Sequence, residues 1–500
     1  MASRFPFTSF PYGWYVIAFS SDVAAGEVKT VHYLGQDIVL FRGASGVVAA
    51  LDKTCPHLGA HLGVGHVEGD CIRCPFHHWM YDATGKCVDV PYAPKIPPNA
   101  RVKRWPMIEQ DGTIMVWYGP DESEPAWTPP PLEHDGWTPN RGIRWELKSH
   151  PQEIAENTVD SAHLGPVHHV TSCNVRSVEQ TGHTMRVLLD MVASGEAIGM
   201  PDEVNDVELD VTLHGLGQVI SRTHVLTAGL HTRQRIHPTP IDGERVAIFG
   251  INNIKQMPDP GYTHEIDEIF WAAFTADFPR DFPIWETKAY LERPLLAGGD
   301  GPIGSYRKWA RQFYGGSAKP IEDAPAHEQQ RSIDPIARLH PRRLLARALE
   351  RLRGLAAARM VVPDPPPPSS TGPATNRKRE ETRAPANAQR FASVDAYFGT
   401  LAQRFDAHAA GELDAVFQWN LTGAQKVEHF AEVKGGRIRI CAGAHERPTL
   451  TIEMSAEDYL SMINGDLNGA FAFSTGRGRL HGPVRLAMRM QKLFPLERSV

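Results

Sequence analysis

No run in this 500-residue chain approaches the roughly 18 consecutive apolar residues of a membrane-spanning helix, which excludes a helical integral membrane protein. The opening "MASRFPFTSFPYGWYVIAF" is broken by Pro and polar residues and has no signal-peptide core. The closing "LERSV" is not a peroxisomal address. A soluble cytoplasmic protein is therefore expected. Basic excess is missing too: 52 Lys and Arg stand against 58 Asp and Glu, a formal net charge of −6, so no nucleic-acid partner is expected. Cys is scarce, at six residues, and cannot make a disulfide scaffold; where it clusters with His it points to a reducing compartment and to metal or catalysis. No P-loop or nucleotide-binding G-x-G-x-x-G motif is read in the chain, so NAD(P)H chemistry has to be done by a partner. Internal repeats are absent as well.

What is present is ordinary globular composition, 42% apolar and 22% charged, in a chain long enough for about three domains. Residues 1–125 carry short apolar runs punctuated by Gly, as in "KTVHYLGQDIVLFRGASGVVAALD", and read as an antiparallel β domain. Residues 126–316 mix strand-like "RTHVLTAGLHTRQRIHPTP" with helix-like "HEIDEIFWAAFTADF" and read as α+β. Residues 317–388 read as a linker. They hold an Arg-rich amphipathic helix candidate over 341–360, then "VVPDPPPPSSTGPATNRKREETRAPANAQ", too rich in Pro and charge to bury a core. Residues 389–500 form a small α+β module: a helix near 391–409, a hairpin turning at Gly435-Gly436, an N-cap at Ser455 and a closing amphipathic helix.

The densest chemistry lies in "CPHLGAHLGVGHVEGDCIRCPFHHW", residues 55–79, with three Cys and five His. Cys55-Pro-His57 and Cys74-Pro-Phe-His77 each offer one thiolate and one imidazole. Zinc is the default for such a set, but a zinc finger pairs Cys with Cys and His with His along the chain. Mixed loops suit a 2Fe–2S cluster whose irons differ, one held by two thiolates and one by two imidazoles. The stretch resembles the Rieske iron–sulfur motif. Respiratory Rieske proteins carry an additional disulfide-forming Cys in each loop; Ala60 and Phe76 occupy those places here, so the resemblance is to the oxygenase type. Cys71 and Cys87 are then spare buried residues, and His61, His66 and His78 are surface or supporting groups. Oxygenase loops commonly read "HGW" where His77-His78-Trp79 stands and "GG" where Gly65-His66 stands, and both changes are expected to be tolerated.

A second array follows in "PQEIAENTVDSAHLGPVHHV", where Asn157, Asp160, His163 and His168 are spaced N-x-x-D-x-x-H-x-x-x-x-H. Asn157, Asp160 and His163 share one face of a helix, on this reading, which Gly165-Pro166 then interrupts. Two imidazoles with one carboxylate leave open positions on Fe(II). The array resembles the mononuclear iron motif of Rieske oxygenases. In their steroid-acting branch, which includes 3-ketosteroid 9α-hydroxylases and cholesterol 7-desaturases, the third ligand opens a D-x-x-I-W-x-x-K pattern. Asp281-Phe-Pro-Ile284-Trp285-Glu-Thr-Lys288 matches it, in preference to Asp277. The resemblance, which covers about residues 11 to 315, implies a helix-grip-like catalytic domain. It also implies O2 as co-substrate, electrons from a flavin reductase or ferredoxin, and a head-to-tail homotrimer in which Asp160 bridges to a cluster His of the neighbour.

The C-terminal module, with "RPTLTIEMSAEDYLSMINGDLNGAFAFSTGRGRLHGPVRLAMRMQKLF", resembles the sterol carrier protein family across 391–496. That implies a lipid tunnel, for which Leu486, Met488, Met490 and Leu493 are wall candidates as well as ordinary core. Two resemblances thus meet on a sterol or steroid substrate, hydroxylated or desaturated. The helix at 341–360 has six Arg and one Glu; docking on the protein's own surface is its plainer reading, and peripheral contact with an anionic membrane the alternative. Two other functions compete: a Rieske oxygenase acting on an aromatic or other hydrophobic substrate, and a lipid-transfer protein whose iron domains serve electron transfer alone.

Overall fold

The computed structural model describes residues 4–7, 9–119, 123–195, 200–315, 390–423 and 426–496. The expected linker at 317–388 and the Arg-rich stretch at 341–360 lie outside them. The chain divides into two compact units, the first built mainly from the described residues up to 315 and the second mainly from 390–496. Among the described residues no helix is long and apolar enough to cross a membrane.

The first unit begins with ten short strands: β1 (Gly13–Phe19), β2 (Val28–Tyr33), β3 (Gln36–Arg42), β4 (Val48–Asp52), β5 (His66–Glu68), β6 (Cys71–Arg73), β7 (Met80–Tyr81), β8 (Cys87–Asp89), β9 (Met107–Gln110) and β10 (Thr113–Tyr118). They make three antiparallel sheets, β1-β10-β9, β2-β3-β4 and β5-β6-β7-β8. β3 shows why "DIVLF" is apolar without alternation. Ile38 and Leu40 enter a core with Tyr15, Ile17, Ile114 and Val116, while Val39 and Phe41 face the other way, into a core with Leu51, Cys55, Cys74 and Tyr81. A strand buried on both faces has no polar side to display. The second of these cores is the floor of the Cys/His loops.

The same unit continues with β11 (Arg141–Leu147), α1 (Pro151–Asn157), α2 (Leu164–His168), β12 (Val170–Thr181), β13 (Thr184–Gly195), β14 (Met200–His214), β15 (Val219–Val225), β16 (Leu230–Pro240), β17 (Val246–Ile254), α3 (Pro260–Asp277), α4 (Phe282–Thr287) and α5 (Ile303–Ala310). The strands form one antiparallel sheet in the order β11-β17-β16-β15-β14-β13-β12. One face carries Val187, Leu189, Val211, Leu213, Ile236 and Ile248 against Ile154 of α1, Phe274 of α3, Trp285 of α4 and Trp309 of α5. On the opposite face Ala247 and Phe249 pack with Trp14, Tyr15 and Met115, and Thr239 Oγ1 donates to Val16 O at 2.6 Å. Helices gripping one face of a long antiparallel sheet are the architecture expected for the middle region.

The expectation of one helix face carrying Asn157, Asp160 and His163 is corrected. α1 stops at Asn157, Asp160 lies in the following turn, and His163 is the residue before α2. Gly165-Pro166 does not interrupt a helix either; it sits in the first turn of α2. Pro is accepted there because the N–H it lacks would have no partner within the helix.

The second unit contributes α6 (Val394–Arg404), α7 (Ala407–Ala410), β18 (Ala415–Thr422), β19 (Val427–Lys434), β20 (Arg437–Ala442), β21 (Leu450–Ser455), α8 (Ala456–Ile463), α9 (Gly469–Ser474), β22 (Gly478–His481) and α10 (Val484–Leu493). Its sheet runs β20-β19-β18-β21-β22, with β18 and β21 parallel and the other pairs antiparallel. The hairpin turns at Gly435 and Gly436, both left-handed (φ 54° and 69°), and Ser455 Oγ accepts from Asp458 N at 3.0 Å as the N-cap of α8. Tyr397, Phe398, Phe417, Trp419, Tyr459 and Phe494 are buried in its interior. On α10, Leu486 and Leu493 are buried, and Met488 and Met490 are half-buried.

Candidate metal centres

The first centre sits at the tips of two loops that β4, β6 and β7 hold together. Cys55 N donates to Ala60 O and Cys74 N to Trp79 O, so each loop closes on itself just where a thiol emerges. Both Cys are buried. Cys55 Sγ lies 3.1 Å from the hydroxyl of Tyr81, whose pKa is pushed well up by burial and by the neighbouring Cys55. With Cys55 bound to iron as a thiolate, the Tyr81 hydroxyl would be the donor of that contact. Cys74 receives the backbone N–H groups of Phe76 and His77, although burial raises its thiol above the usual range. The two imidazoles, His57 and His77, are half-buried and face each other with centroids 4.5 Å apart. Trp79 stacks on His57 at 4.5 Å and 7°, and its Nε1 donates to Tyr92 OH. Thiols at the base and imidazoles at the rim fit a 2Fe–2S cluster with unequal irons. Leu58 and Phe76, beside the two His, are 64% and 57% exposed, an apolar rim around the imidazoles.

The two sequence departures differ in kind. His78 follows His77 in the left-handed region (φ 59°), so a side chain stands where Gly is suited. His66 has no such conformation. Its neighbour Gly65 is the constrained one, because a Cβ there would lie 2.2 Å from Arg73 O. Of the remaining residues, Cys87 is buried and Cys71 half-buried, His66 and His78 are exposed, and His61 accepts from Gly63 N as a short helical turn begins.

The second centre brings His163, His168 and Asp281 together, with ligand-competent atoms all within 4.8 Å of one another. His163 Nδ1 donates to the carbonyl oxygen of Asp160 at 2.6 Å, which leaves Nε2 unprotonated, 3.0 Å from the side-chain amide of Asn157. Burial lowers the His163 pKa despite the Asp160 and Asp281 carboxylates, which favours the neutral ring. His168 Nε2 lies 3.2 Å from Asp281 Oδ2, and its Nδ1 lies 2.9 Å from Asp277 Oδ2. Burial alone would lower the His168 pKa, but hydrogen bonds to these two carboxylates carry it up to about 9. Asp281 is 2% exposed. Two imidazole nitrogens and one buried carboxylate converging from one side, with the outer nitrogens already occupied, fit a facial mononuclear iron site.

The donors owe their positions to segments far apart in sequence. Glu153 and Glu156 point from α1 into the interior. Lys288 Nζ reaches Glu153 Oε2 at 2.6 Å, and Arg307 grips Glu156 through two hydrogen bonds of 2.5 and 2.8 Å. Lys288 closes the D-x-x-I-W-x-x-K pattern, so its place in the motif has a structural reason. Asp160 Oδ1 accepts from the backbone N–H of Ala162 and His163. Gly299-Asp300-Gly301-Pro302-Ile303-Gly304 does have G-x-G-x-x-G spacing, which corrects the reading that none exists. It follows irregular chain rather than a strand, so it is not a dinucleotide fingerprint. Gly301 (φ 86°) instead presses on the Asp160 turn, where a Cβ would meet Val159 O at 2.3 Å. Sequence reasoning missed Tyr81, Glu153, Glu156 and Arg307. The segments "PQEIAEN" and "IGSYRKWA" mix polar and apolar residues, so no local signal marked the Glu156–Arg307 pair.

Comparison with known proteins agrees with this layout. Residues 13–106 match the Rieske [2Fe-2S] domain, 116–314 the 3-ketosteroid 9alpha-hydroxylase C-terminal domain, and 399–495 the SCP-2 sterol transfer family. Cholesterol 7-desaturase of Caenorhabditis elegans is 33% identical over 364 residues, covering 65% of this chain and 82% of that protein. The probable 3-ketosteroid-9-alpha-monooxygenase oxygenase component of Rhodococcus rhodochrous is 31% identical over 317 residues, covering 60% and 79%. Among solved structures, dicamba monooxygenase bound to 3,6-dichlorosalicylic acid shares the fold, with a TM-score of 0.51 at 19% identity over 62% of this chain and 98% of that one. The chain belongs to the Rieske oxygenases with a 3-ketosteroid 9α-hydroxylase-type C-terminal domain, oxidoreductases that use a 2Fe–2S cluster, mononuclear iron and O2, and it carries an SCP-2 module behind them.

Proposed function

We propose that this protein is the oxygenase component of a system that hydroxylates or desaturates a sterol or steroid. Cys55, His57, Cys74 and His77 hold the 2Fe–2S cluster, and His163, His168 and Asp281 hold the mononuclear iron. The observation that carries the reading is the convergence of those last three side chains within 4.8 Å in a chain that also has a Rieske domain. Bound there, ferrous iron supplies open positions at which O2 is used to oxidise an unactivated C–H bond. The protein's own groups do the rest. The Asp160 carbonyl and the Asp277 carboxylate orient the two His through their Nδ1 atoms, and Asn157 Nδ2 lies 3.0 Å from His163 Nε2, the nitrogen that iron would take in its place.

The substrate class rests on three features. Relatives are named for cholesterol and 3-ketosteroids, and an SCP-2 module is tethered to the same chain. Partly buried Val175, Met191, Leu209, Phe278 and Phe282 pack on the apolar cluster that contains Trp285, four residues after Asp281. A tethered lipid-binding module raises the local concentration of a poorly soluble substrate. We take 1–125, 126–316 and 389–500 as the three functional modules and 317–388 as their linker. Electrons come from a separate flavin reductase or ferredoxin. The Asp160 side chain, 29% exposed, and the apolar rim at Leu58 and Phe76 support a homotrimer in which one copy's cluster docks beside the next copy's Asp160. A cytoplasmic location completes the reading.

Metal analysis tests the site directly. The purified chain should hold about three irons and two acid-labile sulfides, and Asp281→Ala should lose one iron while keeping the cluster absorbance. Full iron content in Asp281→Ala would refute the ligand assignment.

A further inference from the structure

The two His of the mononuclear centre are held in unlike ways. His163 Nδ1 donates to a neutral, local acceptor, the carbonyl of Asp160 three residues earlier. His168 Nδ1 meets a carboxylate, Asp277 Oδ2, which lies 109 residues away at the last position of α3. The other oxygen of Asp277 forms an ion pair, without a hydrogen bond, with Arg280 Nε at 3.3 Å. Arg280 Nη1 in turn donates to Val167 O at 3.2 Å, the backbone of the residue preceding His168. The result is a closed circuit: His168 ring, Asp277 carboxylate, Arg280 guanidinium, Val167 backbone, His168. It grips both the ring and the main chain of one candidate ligand, from the segment that carries another, Asp281.

Geometry separates the two carboxylates. The nitrogens of an imidazole point in diverging directions, so an ion bound at Nε2 of His168 beside Asp281 is out of reach of a carboxylate on Nδ1. Asp277 cannot complete the same three-ligand site. We propose that Asp277, ion-paired with Arg280, is a positioning residue: it sets the ring orientation of His168, gives that ligand alone a carboxylate within hydrogen-bond distance of Nδ1, and holds α2 near the turn before α4. The proposal rests on the reading that His163, His168 and Asp281 hold iron. A carboxylate behind a metal-bound imidazole raises the basicity of that ligand, and loss of such a partner typically weakens metal binding about 10- to 100-fold.

The test uses full-length protein with its cluster in place, whose visible absorbance reports folding in every variant. Ferrous iron affinity of the mononuclear site is measured by competition with a graded chelator, and its ligand field by electron paramagnetic resonance of the nitric oxide adduct. Asp277→Ala should lower iron affinity about 10- to 100-fold and alter the nitrosyl spectrum. Asp277→Asn keeps an acceptor oxygen for the Nδ1 proton but removes the charge. It should retain most of the affinity and still shift the spectrum. Arg280→Ala should loosen the site less than Asp277→Ala. Parent affinity and an unchanged spectrum in Asp277→Ala, with iron lost in Asp281→Ala, would overturn the clamp and leave the site reading standing. Complete iron loss in both Asp277 variants, matching Asp281→Ala, would make Asp277 a ligand and also overturn it. Iron retained in Asp281→Ala would sink the site reading itself.

Discussion

His77 and His168, one candidate ligand from each centre, are each followed by a His in the left-handed conformation, His78 and His169, both at φ 59°. A side chain in that region costs about 1 kcal/mol relative to Gly. His78 is exposed, so His78→Gly gives up little packing and should stabilise the domain by up to about 1 kcal/mol, raising its thermal midpoint by a few degrees with the cluster spectrum unchanged. A fall in the midpoint would mean that the imidazole makes a contact worth more than the strain. At Tyr81 the expectation concerns redox. Tyr81→Phe removes the O–H donor to Cys55 Sγ, so the cluster potential should drop, as protein-film voltammetry would read. At this scale the candidate ligands could be proposed from the sequence, because mixed Cys/His loops and spaced His are local patterns. Tyr81 and Asp277 were not legible in these roles, since a hydrogen-bond partner is chosen by the fold rather than by spacing.

Among elements, α1 is the one most dependent on others. Glu156 and Arg307 are a buried bidentate pair, with side chains 6% and 9% exposed. Removing one member of such a pair leaves an unpaired buried charge and costs about 3–5 kcal/mol, whereas replacing both with apolar residues of like volume restores much of that. Arg307→Met should therefore lower unfolding stability far more than the Glu156→Leu/Arg307→Met double variant, as measured by chemical denaturation. Equal losses would mean that the pair contributes beyond charge compensation. Gly301→Ala is expected to be harsher locally: its φ of 86° disfavours a side chain, and the new Cβ would strike the carbonyl of Val159, displacing the Asp160 turn and lowering iron retention. The strands, the Gly435-Gly436 hairpin and the Ser455 cap were readable from periodicity and turn chemistry. The break between α1 and α2 was not. A regular N-x-x-D-x-x-H spacing imitates one helix face, while the actual turn is set by Asp160 accepting backbone N–H groups and by Gly301 pressing from another segment.

For the whole molecule, three buried His in the first unit set its response to acid. Burial holds His150 and His237 down to about 3 and His214 to about 4, all below the roughly 6.5 of an unfolded chain. The unfolded state therefore binds more protons as pH falls below about 6.5. Each His removes up to about 1.4 kcal/mol of stability per pH unit, down to its folded pKa. The denaturation midpoint should be flat near neutrality in respect of these groups and fall steeply between about pH 6 and 4; His150→Asn should make that slope shallower. Removing residues 389–500 should impair oxidation of a dispersed sterol while sparing a soluble steroid, and equal loss on both would contradict delivery by that module. The measurement that bears most directly on the central claim is turnover of a sterol and steroid panel with a surrogate reductase, read by mass. The parent protein should yield a product that has gained one oxygen or lost two hydrogens, and Asp281→Ala, with its cluster intact, should yield none. Turnover of aromatic acids with every sterol left untouched, or equal product from Asp281→Ala, would contradict it.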